Sequence, residues 1–171
     1  ARPGADPAVR LGLGAAFIVC LADQAAKLWL LFGYDLGARG PVALAPVLDL
    51  VLVRNYGISY GWFQGLGLSA RWVLVAIAAA AVAFLATWLV RAQTRLSGLA
   101  LGLIIGGAVG NAIDRVAHDG AVVDFLRFHV TTSGFAFNWP YVFNLSDAAI
   151  VAGVVGLLYE SVQGARAAKV P

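Results

Sequence analysis

Charged residues are scarce in this sequence, and their scarcity excludes most classes of soluble protein. Only 12% of the 171 residues are charged, whereas 61% are hydrophobic. Ordinary soluble domains have about 25% charged residues and about 45–50% apolar residues. The composition therefore predicts an integral membrane protein, and the length suits a single domain over residues 1–171. The twelve lysine and arginine residues are scattered, so nothing indicates a nucleic-acid partner.

Cysteine is nearly absent, and methionine is missing altogether, even from position 1. We therefore expect the sequence to be processed or incomplete at its start. The single Cys20 cannot form an intramolecular disulfide, so it says nothing about the redox compartment. His118 and His129 lack metal-ligand spacing, and the sequence has no His-Glu-x-x-His motif. We expect both histidines to lie in loops, and we expect the protein to use no metal and no cofactor.

Long apolar runs dominate what is present. They predict four membrane-spanning helices at about residues 11–32, 71–90, 96–113 and 145–162. The first run would measure about 33 Å as a helix, at ~1.5 Å per residue, which is enough to cross a bilayer. A secretory signal peptide is the alternative for that run, but its length and its polar residues favour a span.

Four spans place both termini on one side of the membrane. The short turn with Arg91 and Arg95 lies on the same side, and positive charge in short loops favours the cytoplasm. We therefore expect cytoplasmic termini, with the connections of residues 33–70 and 114–144 facing outward.

The two outward connections contain strand signals. Residues 47–53 predict a strand that ends at an Asn-Tyr-Gly turn, and residues 58–63 predict its return strand. A short amphipathic helix is expected around Trp62. Residues 122–130 and 135–142 predict a second pair of strands. The predicted fold is thus a membrane all-α core of four transmembrane helices with an extracytoplasmic β-cradle and a short amphipathic helix.

Asp23 and Lys27 are charged residues inside the first predicted span. They stand four residues apart and so share one helix face. An isolated charge at mid-bilayer costs about 2.5–3.5 kcal/mol, and pairing lowers that cost. Two interpretations stay open: a structural ion pair that orients the helix, and support for a functional site.

The third predicted span ends in a polar group. Asn111 and Arg115 are also four residues apart on one helix face, whereas Asp114 points elsewhere. Snorkelling and capping at the interface explain this group without a function. Arg115 is equally suited to hold a carbonyl or carboxylate group of a substrate.

Asp124 and Asp147 are candidates for acid–base chemistry because their surroundings differ. Asp124 lies between apolar residues of a predicted strand, where desolvation raises the pKa of a carboxyl group. Asp147 begins the fourth predicted helix, where backbone N–H groups stabilise a negative charge. Two carboxylates in unlike environments can divide the roles of acid and base, as in aspartic proteases. A helix cap or a solvated loop residue is the alternative for either one alone, and the sequence does not bring the two together.

Five short motifs follow one another along the predicted four-span frame. The first is Asp-Gln-Ala-Ala-Lys from Asp23, and the second is Asn-Tyr-Gly-Ile-Ser-Tyr-Gly from Asn55. The third is Gly-Gly-Ala-Val-Gly-Asn-Ala-Ile-Asp-Arg from Gly106. The last two are Val-Val-Asp-Phe from Val122 and Phe-Asn-Leu-Ser-Asp from Phe143. In this order they resemble the motifs of the bacterial lipoprotein signal peptidases, also called signal peptidase II. One such motif would be weak evidence, but five in order over nearly the whole chain are specific.

The resemblance implies an intramembrane aspartyl endopeptidase of the bacterial cytoplasmic (inner) membrane that needs no metal and acts near the outer face. Enzymes of this family cut the signal peptide from a prolipoprotein just before a cysteine bearing a diacylglyceryl group, beside membrane lipids, and globomycin-type cyclic peptides block them. The motif match implies a catalytic pair formed by Asp124 and Asp147. It implies site-lining roles for Asn55, Gly57, Asn111, Arg115 and Asn144. It implies structural support from Asp23, Lys27 and Asp114.

Two motifs depart from the family's usual pattern. The second usually has alanines and a phenylalanine at positions 58–60, and the last usually has alanine in place of Ser146. These departures concern the fit of the substrate and the surroundings of Asp147, not the class of reaction. From the helix start and the apolar flanks we predict that Asp147 is the ionised partner and Asp124 the protonated one.

Two alternatives come from other classes of protein. An ion-coupled transporter would use Asp23 and Lys27 as a proton relay, but it should show broken helices and internal repeats, which the sequence lacks. A non-enzymatic membrane scaffold would explain the glycine-rich third span, but it has no need for the aspartates.

Overall fold

Four long helices form the body of the protein in the computed structural model, which describes residues 6–57 and 68–167. Helix α1 covers Pro7–Leu28 and continues as a short π-helix over Trp29–Gly33. The other helices are α2 (Leu36–Arg39), α3 (Leu68–Leu89), α4 (Arg95–Ala117) and α5 (Leu145–Ala167). Apart from α2, these helices are long and apolar enough to cross a membrane. The chain is therefore a multi-pass membrane protein, as its composition predicts.

Helix α4 is the centre of the bundle, with α1, α3 and α5 packed around it. Its glycines let the neighbouring backbones approach: a Cβ atom on Gly98 or Gly102 would lie 2.2 Å from a backbone oxygen of α1. On Gly107 it would lie 2.4 Å from a backbone oxygen of α5. Close approach of the neighbouring helices therefore explains why α4 is rich in glycine. Large side chains on the outer faces, such as Phe17 and Phe84, are 68% and 66% exposed, which suits contact with lipid.

Helix α4 is longer than predicted, since it ends at Ala117. Asp114 and Arg115 therefore belong to the helix and not to the connection that follows it. The helix can include Asp114 because this side chain is buried in an ion pair with Lys27. The chain turns away only after the helix, where Asp119 adopts a positive φ of 52°.

A four-stranded antiparallel sheet, in the order β1-β2-β3-β4, lies where α1 and α4 end and α5 begins. The strands cover Val42–Ala45, Leu48–Asn55, Val122–Thr132 and Phe135–Phe143. Phe125 of β3 packs against Leu30 and Leu36 and so attaches the sheet to the end of the first span. The predicted combination of a helical membrane core with a small β-element is confirmed.

Strand β2 pairs with strands that the sequence analysis did not assign to it. Its expected return strand, residues 58–63, and the amphipathic helix expected around Trp62 lie outside the described residues. Within the described part of the chain, β2 pairs with β1 and β3. Four residues are too few to show a strand pattern, which is why β1 was not predicted. His129 lies in β3 rather than in a loop, because β-branched residues continue the strand beyond it.

Candidate active site

Asp147 lies in the first turn of α5, and Asn144 immediately precedes that helix. The backbone N–H of Asp147 donates to Asn144 Oδ1 (2.9 Å), and the backbone N–H of Asn144 donates to Asp147 Oδ2 (3.2 Å). This reciprocal pair is a capping box, in which each side chain accepts the other residue's N–H. The carboxylate of Asp147 is thereby fixed against the start of the helix.

Asp124 lies in β3, opposite Val53 of β2, and is 1% exposed. Each of its carboxylate oxygens accepts a hydrogen bond from a side-chain amide. Asn144 Nδ2 donates to Oδ1 (2.7 Å), and Asn55 Nδ2, at the end of β2, donates to Oδ2 (3.0 Å). Two different connections of the chain therefore hold this one carboxyl group.

Asn111 of α4 joins the two aspartates into one hydrogen-bonded cluster. Its Nδ2 donates to Asp147 Oδ1 (2.8 Å), and its Oδ1 accepts from Asn144 Nδ2 (3.1 Å). Since Asn144 also donates to Asp124, the hydrogen-bonded pair of Asn111 and Asn144 links the two carboxylates. The structure thus places near each other two aspartates that the sequence analysis could not bring together.

The pKa of Asp124 is raised from 3.8 to about 6, chiefly because burial disfavours the charged carboxylate. The hydrogen bond from Asn55 opposes this rise, the nearby negative charge of Asp147 adds to it, and the hydrogen bond from Asn144 and the charge of Lys27 oppose it. The direction agrees with the apolar flanks of Asp124 in the sequence. It makes Asp124 the carboxyl that retains a proton more readily than an ordinary aspartate does.

Arg115 and Gly57 lie together at the edge of this cluster. Arg115 Nη1 donates to the backbone oxygen of Asn111 (3.2 Å), while its buried Nε has no hydrogen-bond partner among the described residues. Gly57 has a positive φ of 71°, and a Cβ atom there would lie 3.4 Å from Arg115 Nη2. The guanidinium group of Arg115 therefore has N–H donors beside the backbone of Gly57, which carries no side chain.

Asp23, Lys27 and Asp114 form a buried ion cluster behind the two aspartates. Lys27 Nζ lies 2.6 Å from Asp23 Oδ2 and 2.7 Å from Asp114 Oδ2, and none of the three residues is more than 1% exposed. The predicted contact between Asp23 and Lys27 is confirmed. Asp114 of α4 joins the same cluster.

The sequence analysis missed Gln24, whose Nε2 donates to Asp114 Oδ1 (2.9 Å) and to the backbone oxygen of Gly110 (3.1 Å). A polar residue next to Asp23 in an apolar span was the available signal. His129 lies apart from the site, with its Nδ1 3.4 Å from Asp49 Oδ2 on the sheet. Among the described residues, no group of three or more His, Cys, Asp or Glu is arranged to hold a metal ion.

Apolar grooves open beside the site. One of about 430 Å³ is lined by Asp147 and by apolar residues of β4 and α5, including Phe143 and Val151. Another of about 570 Å³ lies between α3 and α4 and is lined by apolar residues of these two helices, including Val75 and Val109. Polar chemistry and apolar surfaces therefore adjoin at Asp147.

The fold and this cluster define a multi-pass membrane protein with two hydrogen-bonded carboxyl groups, one buried and one partly buried, at one end of its bundle. Comparison with known proteins identifies the family. The family model for signal peptidase (SPase) II matches residues 15–163. The chain belongs to the signal peptidase II family, and it is a protease.

Relatives cover almost the full chain. A lipoprotein signal peptidase of Nitrobacter hamburgensis is 57% identical over 163 residues, which are 95% of this chain and 98% of that protein. Those of Rhodopseudomonas palustris and Methylorubrum extorquens are 54% and 53% identical, over 95% and 92% of this chain and 98% and 89% of their own lengths.

Solved structures share the fold. A bacterial membrane enzyme solved at 1.9 Å by the in meso method matches with a TM-score of 0.66 and 24% identity, over 87% of this chain and 90% of that one. A structure at 2.3 Å has a TM-score of 0.65, also at 24% identity, over 89% and 87%.

Proposed function

We propose that this protein is an aspartyl endopeptidase that removes the signal peptide from diacylglyceryl-modified prolipoproteins, cutting on the amino-terminal side of the lipidated cysteine. Membership of the signal peptidase II family supports prolipoproteins as substrates. The observation that carries the mechanism is the pair Asp124 and Asp147, held in unlike environments and joined through Asn111 and Asn144.

In the proposed reaction a water molecule lies between the two carboxyl groups. Asp147, the ionised partner, takes a proton as the water oxygen attacks the scissile carbonyl carbon, while Asp124 gives its proton to the carbonyl oxygen. The tetrahedral diol then collapses: the C–N bond breaks, the proton on Asp147 passes to the leaving nitrogen, and a hydroxyl proton of the diol returns to Asp124. The raised pKa of Asp124 supports its part, because a carboxyl with a pKa of about 6 holds a proton at a smaller free-energy cost than one at 3.8.

Arg115 and Gly57 would contact the substrate backbone in this proposal, while Asn55 would position Asp124. The Nε of Arg115, which has no partner among the described residues, and its Nη2 group would supply donors for peptide carbonyls. Gly57 brings the backbone close to that guanidinium group, since a Cβ atom there would lie 3.4 Å from Nη2. Asn55 would fix the position of the Asp124 carboxyl group, to which it donates a hydrogen bond from the end of β2.

The apolar groove that begins at Asp147 supports a lipid-bearing substrate. Its walls include Phe143 and Val151, so acyl chains on the substrate cysteine can stay in an apolar environment while the peptide reaches the carboxyl groups. Membrane lipids would fill the same surface without substrate. By resemblance to the family, globomycin-type cyclic peptides are expected to inhibit the protein.

The orientation follows from the position of the site within the bundle. Both aspartates lie where α4 ends and α5 begins, whereas the start of α1, the end of α5 and the turn with Arg91 and Arg95 lie at the opposite end. Positive charge in a short loop favours the cytoplasm. We propose that both termini are cytoplasmic in the inner membrane and that the site lies near its outer face.

A cleavage assay tests the proposal directly. Purified protein in lipid bicelles is incubated with a diacylglyceryl-prolipoprotein, and the product is identified by mass. The parent and the control Asp119→Asn, whose carboxylate is 96% exposed, should cut before the lipidated cysteine. Asp124→Asn and Asp147→Asn should each lose cleavage while remaining folded. Cleavage that persists in either of these two variants contradicts the aspartyl mechanism.

A further inference from the structure

Each of the two site aspartates follows a residue whose backbone N–H is held by a buried carboxylate from elsewhere in the chain. The N–H of Ser146, just before Asp147, donates to Asp23 Oδ1 (3.0 Å). The N–H of Val123, just before Asp124, donates to Asp114 Oδ2 (2.9 Å). We call these two backbone hydrogen bonds anchors. Each lies one residue before a site aspartate, one near the start of a helix and the other near the start of a strand.

Lys27 connects the two anchors. Its ammonium group contacts Asp23 and Asp114 at 2.6 and 2.7 Å. A continuous path of buried contacts therefore runs from the Ser146 N–H through Asp23, Lys27 and Asp114 to the Val123 N–H. No step of this path uses a side chain that would touch the substrate.

Burial makes this path rigid and specific. The three ionisable residues are 0–1% exposed, and charged groups out of water hold their geometry because a lost contact is not replaced by solvent. One ammonium group neutralises only one of the two carboxylates, so the backbone N–H donors are needed to satisfy the excess negative charge. A helix-orienting ion pair would need Asp23 and Lys27 alone, and it would not explain why both anchors end beside the reacting groups.

We propose that Asp23, Lys27 and Asp114 are positioning residues that set the separation of the two reacting carboxyl groups, by fixing the backbone N–H groups of Ser146 and Val123. This inference rests on the proposed aspartyl mechanism. Two carboxyl groups share a proton and titrate as a pair only while they stay close. A displacement of about 1 Å can slow catalysis by about 100-fold.

The test compares Asp114→Ala with Asp114→Asn. Both substitutions remove the same charge, and both leave Lys27 paired with Asp23 as a balanced ion pair. Asp114 Oδ2 accepts both the Val123 N–H and the Lys27 ammonium group, so an asparagine carbonyl can keep both contacts, whereas alanine removes them. Any difference in catalysis between the two variants therefore reports the contacts of this oxygen and not the charge.

We expect Asp114→Ala to lower kcat by about tenfold to 100-fold with little change in KM, and to bring the two apparent pKa values of the kcat–pH profile closer together. Asp114→Asn should keep the parent's pH profile and most of its kcat. Asp23→Ala removes the acceptor of the Ser146 N–H, should have the same effect as Asp114→Ala, and replaces it if Asp114→Ala does not fold. Asp119→Asn is the charge-loss control.

The inference is overturned if the alanine variants keep the parent's kcat per folded molecule and its pH profile, or if Asp114→Asn changes as much as the alanine variants do. If neither alanine variant folds, Asp114→Asn decides, since an altered pH profile in that variant contradicts the anchor. Failure of the aspartyl mechanism looks different, because Asp124→Asn or Asp147→Asn would then still cleave.

Discussion

Replacing Asn144 by alanine should affect stability and catalysis together, because this fully buried side chain serves both carboxyl groups. As the cap of α5 it accepts the Asp147 N–H (2.9 Å), and loss of such a cap costs about 0.5–2 kcal/mol. As a donor it binds Asp124 Oδ1 (2.7 Å), and a buried group left without its partner costs about 1–3 kcal/mol. We expect the free energy of unfolding to fall by about 2–4 kcal/mol, since neighbouring effects are not fully additive.

The catalytic effect has a distinct signature. The hydrogen bond from Asn144 lowers the pKa of Asp124, so its loss should raise that pKa and move the basic limb of the kcat–pH profile to higher pH. Asn144→Ser provides the matched control, because serine caps helices well but is too short to replace the donor to Asp124. Thermal unfolding in detergent and cleavage of a lipidated peptide measure the two effects separately.

Serine should therefore restore the capping part of the lost stability, about 0.5–2 kcal/mol, but not the activity or the pH profile. Recovery of both by Asn144→Ser would refute the reasoning, since it would reduce Asn144 to a helix cap. Unchanged stability in Asn144→Ala would also refute the reasoning, because it would exclude the stabilising role of this side chain.

Two further predictions concern the same region. Because the pKa of Asp124 rises from 3.8 to about 6 on folding, the folded state keeps a proton that the unfolded state releases between these values. The free energy of unfolding should thus fall by about 1–3 kcal/mol as pH rises from about 4 to about 6, after allowance for solvent screening; thermal unfolding should show this fall in the parent and not in Asp124→Asn. The buried hydroxyl of Ser146 has no hydrogen-bond partner among the described residues, so Ser146→Ala should leave stability unchanged or raise it by up to about 2 kcal/mol. A clear loss of stability, measured by the same unfolding assay, would reveal a partner that the hydroxyl needs.

The sequence was sufficient for features that depend on local pattern. Apolar runs of helical length predicted the four spans, and the four-residue spacing of Asp23 and Lys27 predicted their contact. The unlike surroundings of Asp124 and Asp147 suggested different protonation, and the direction of the Asp124 pKa agrees. The motif resemblance predicted the family, which the comparisons confirm.

Features that depend on tertiary packing were not accessible in this way. Spacing assigned Asp114 to a different face from Asn111 but could not reveal that this face meets Lys27 on another helix. The pairing of β2 with β3 depends on how α1 and α4 bring two distant connections together. The anchors at Ser146 and Val123 are backbone groups, which leave no trace in the residue types of a sequence.

The order of the chain has a consequence for the biogenesis of this protein. Lys27 is synthesised with the first span, Asp124 after the third, and Asp147 only with the last, so the pair of carboxyl groups is complete only once α5 has entered the membrane. A chain halted after three spans would carry one half of the pair, without the Asn144 donor that holds it. Under the proposed aspartyl mechanism, proteolytic activity therefore requires complete insertion, and a partly inserted chain cannot cleave its neighbours.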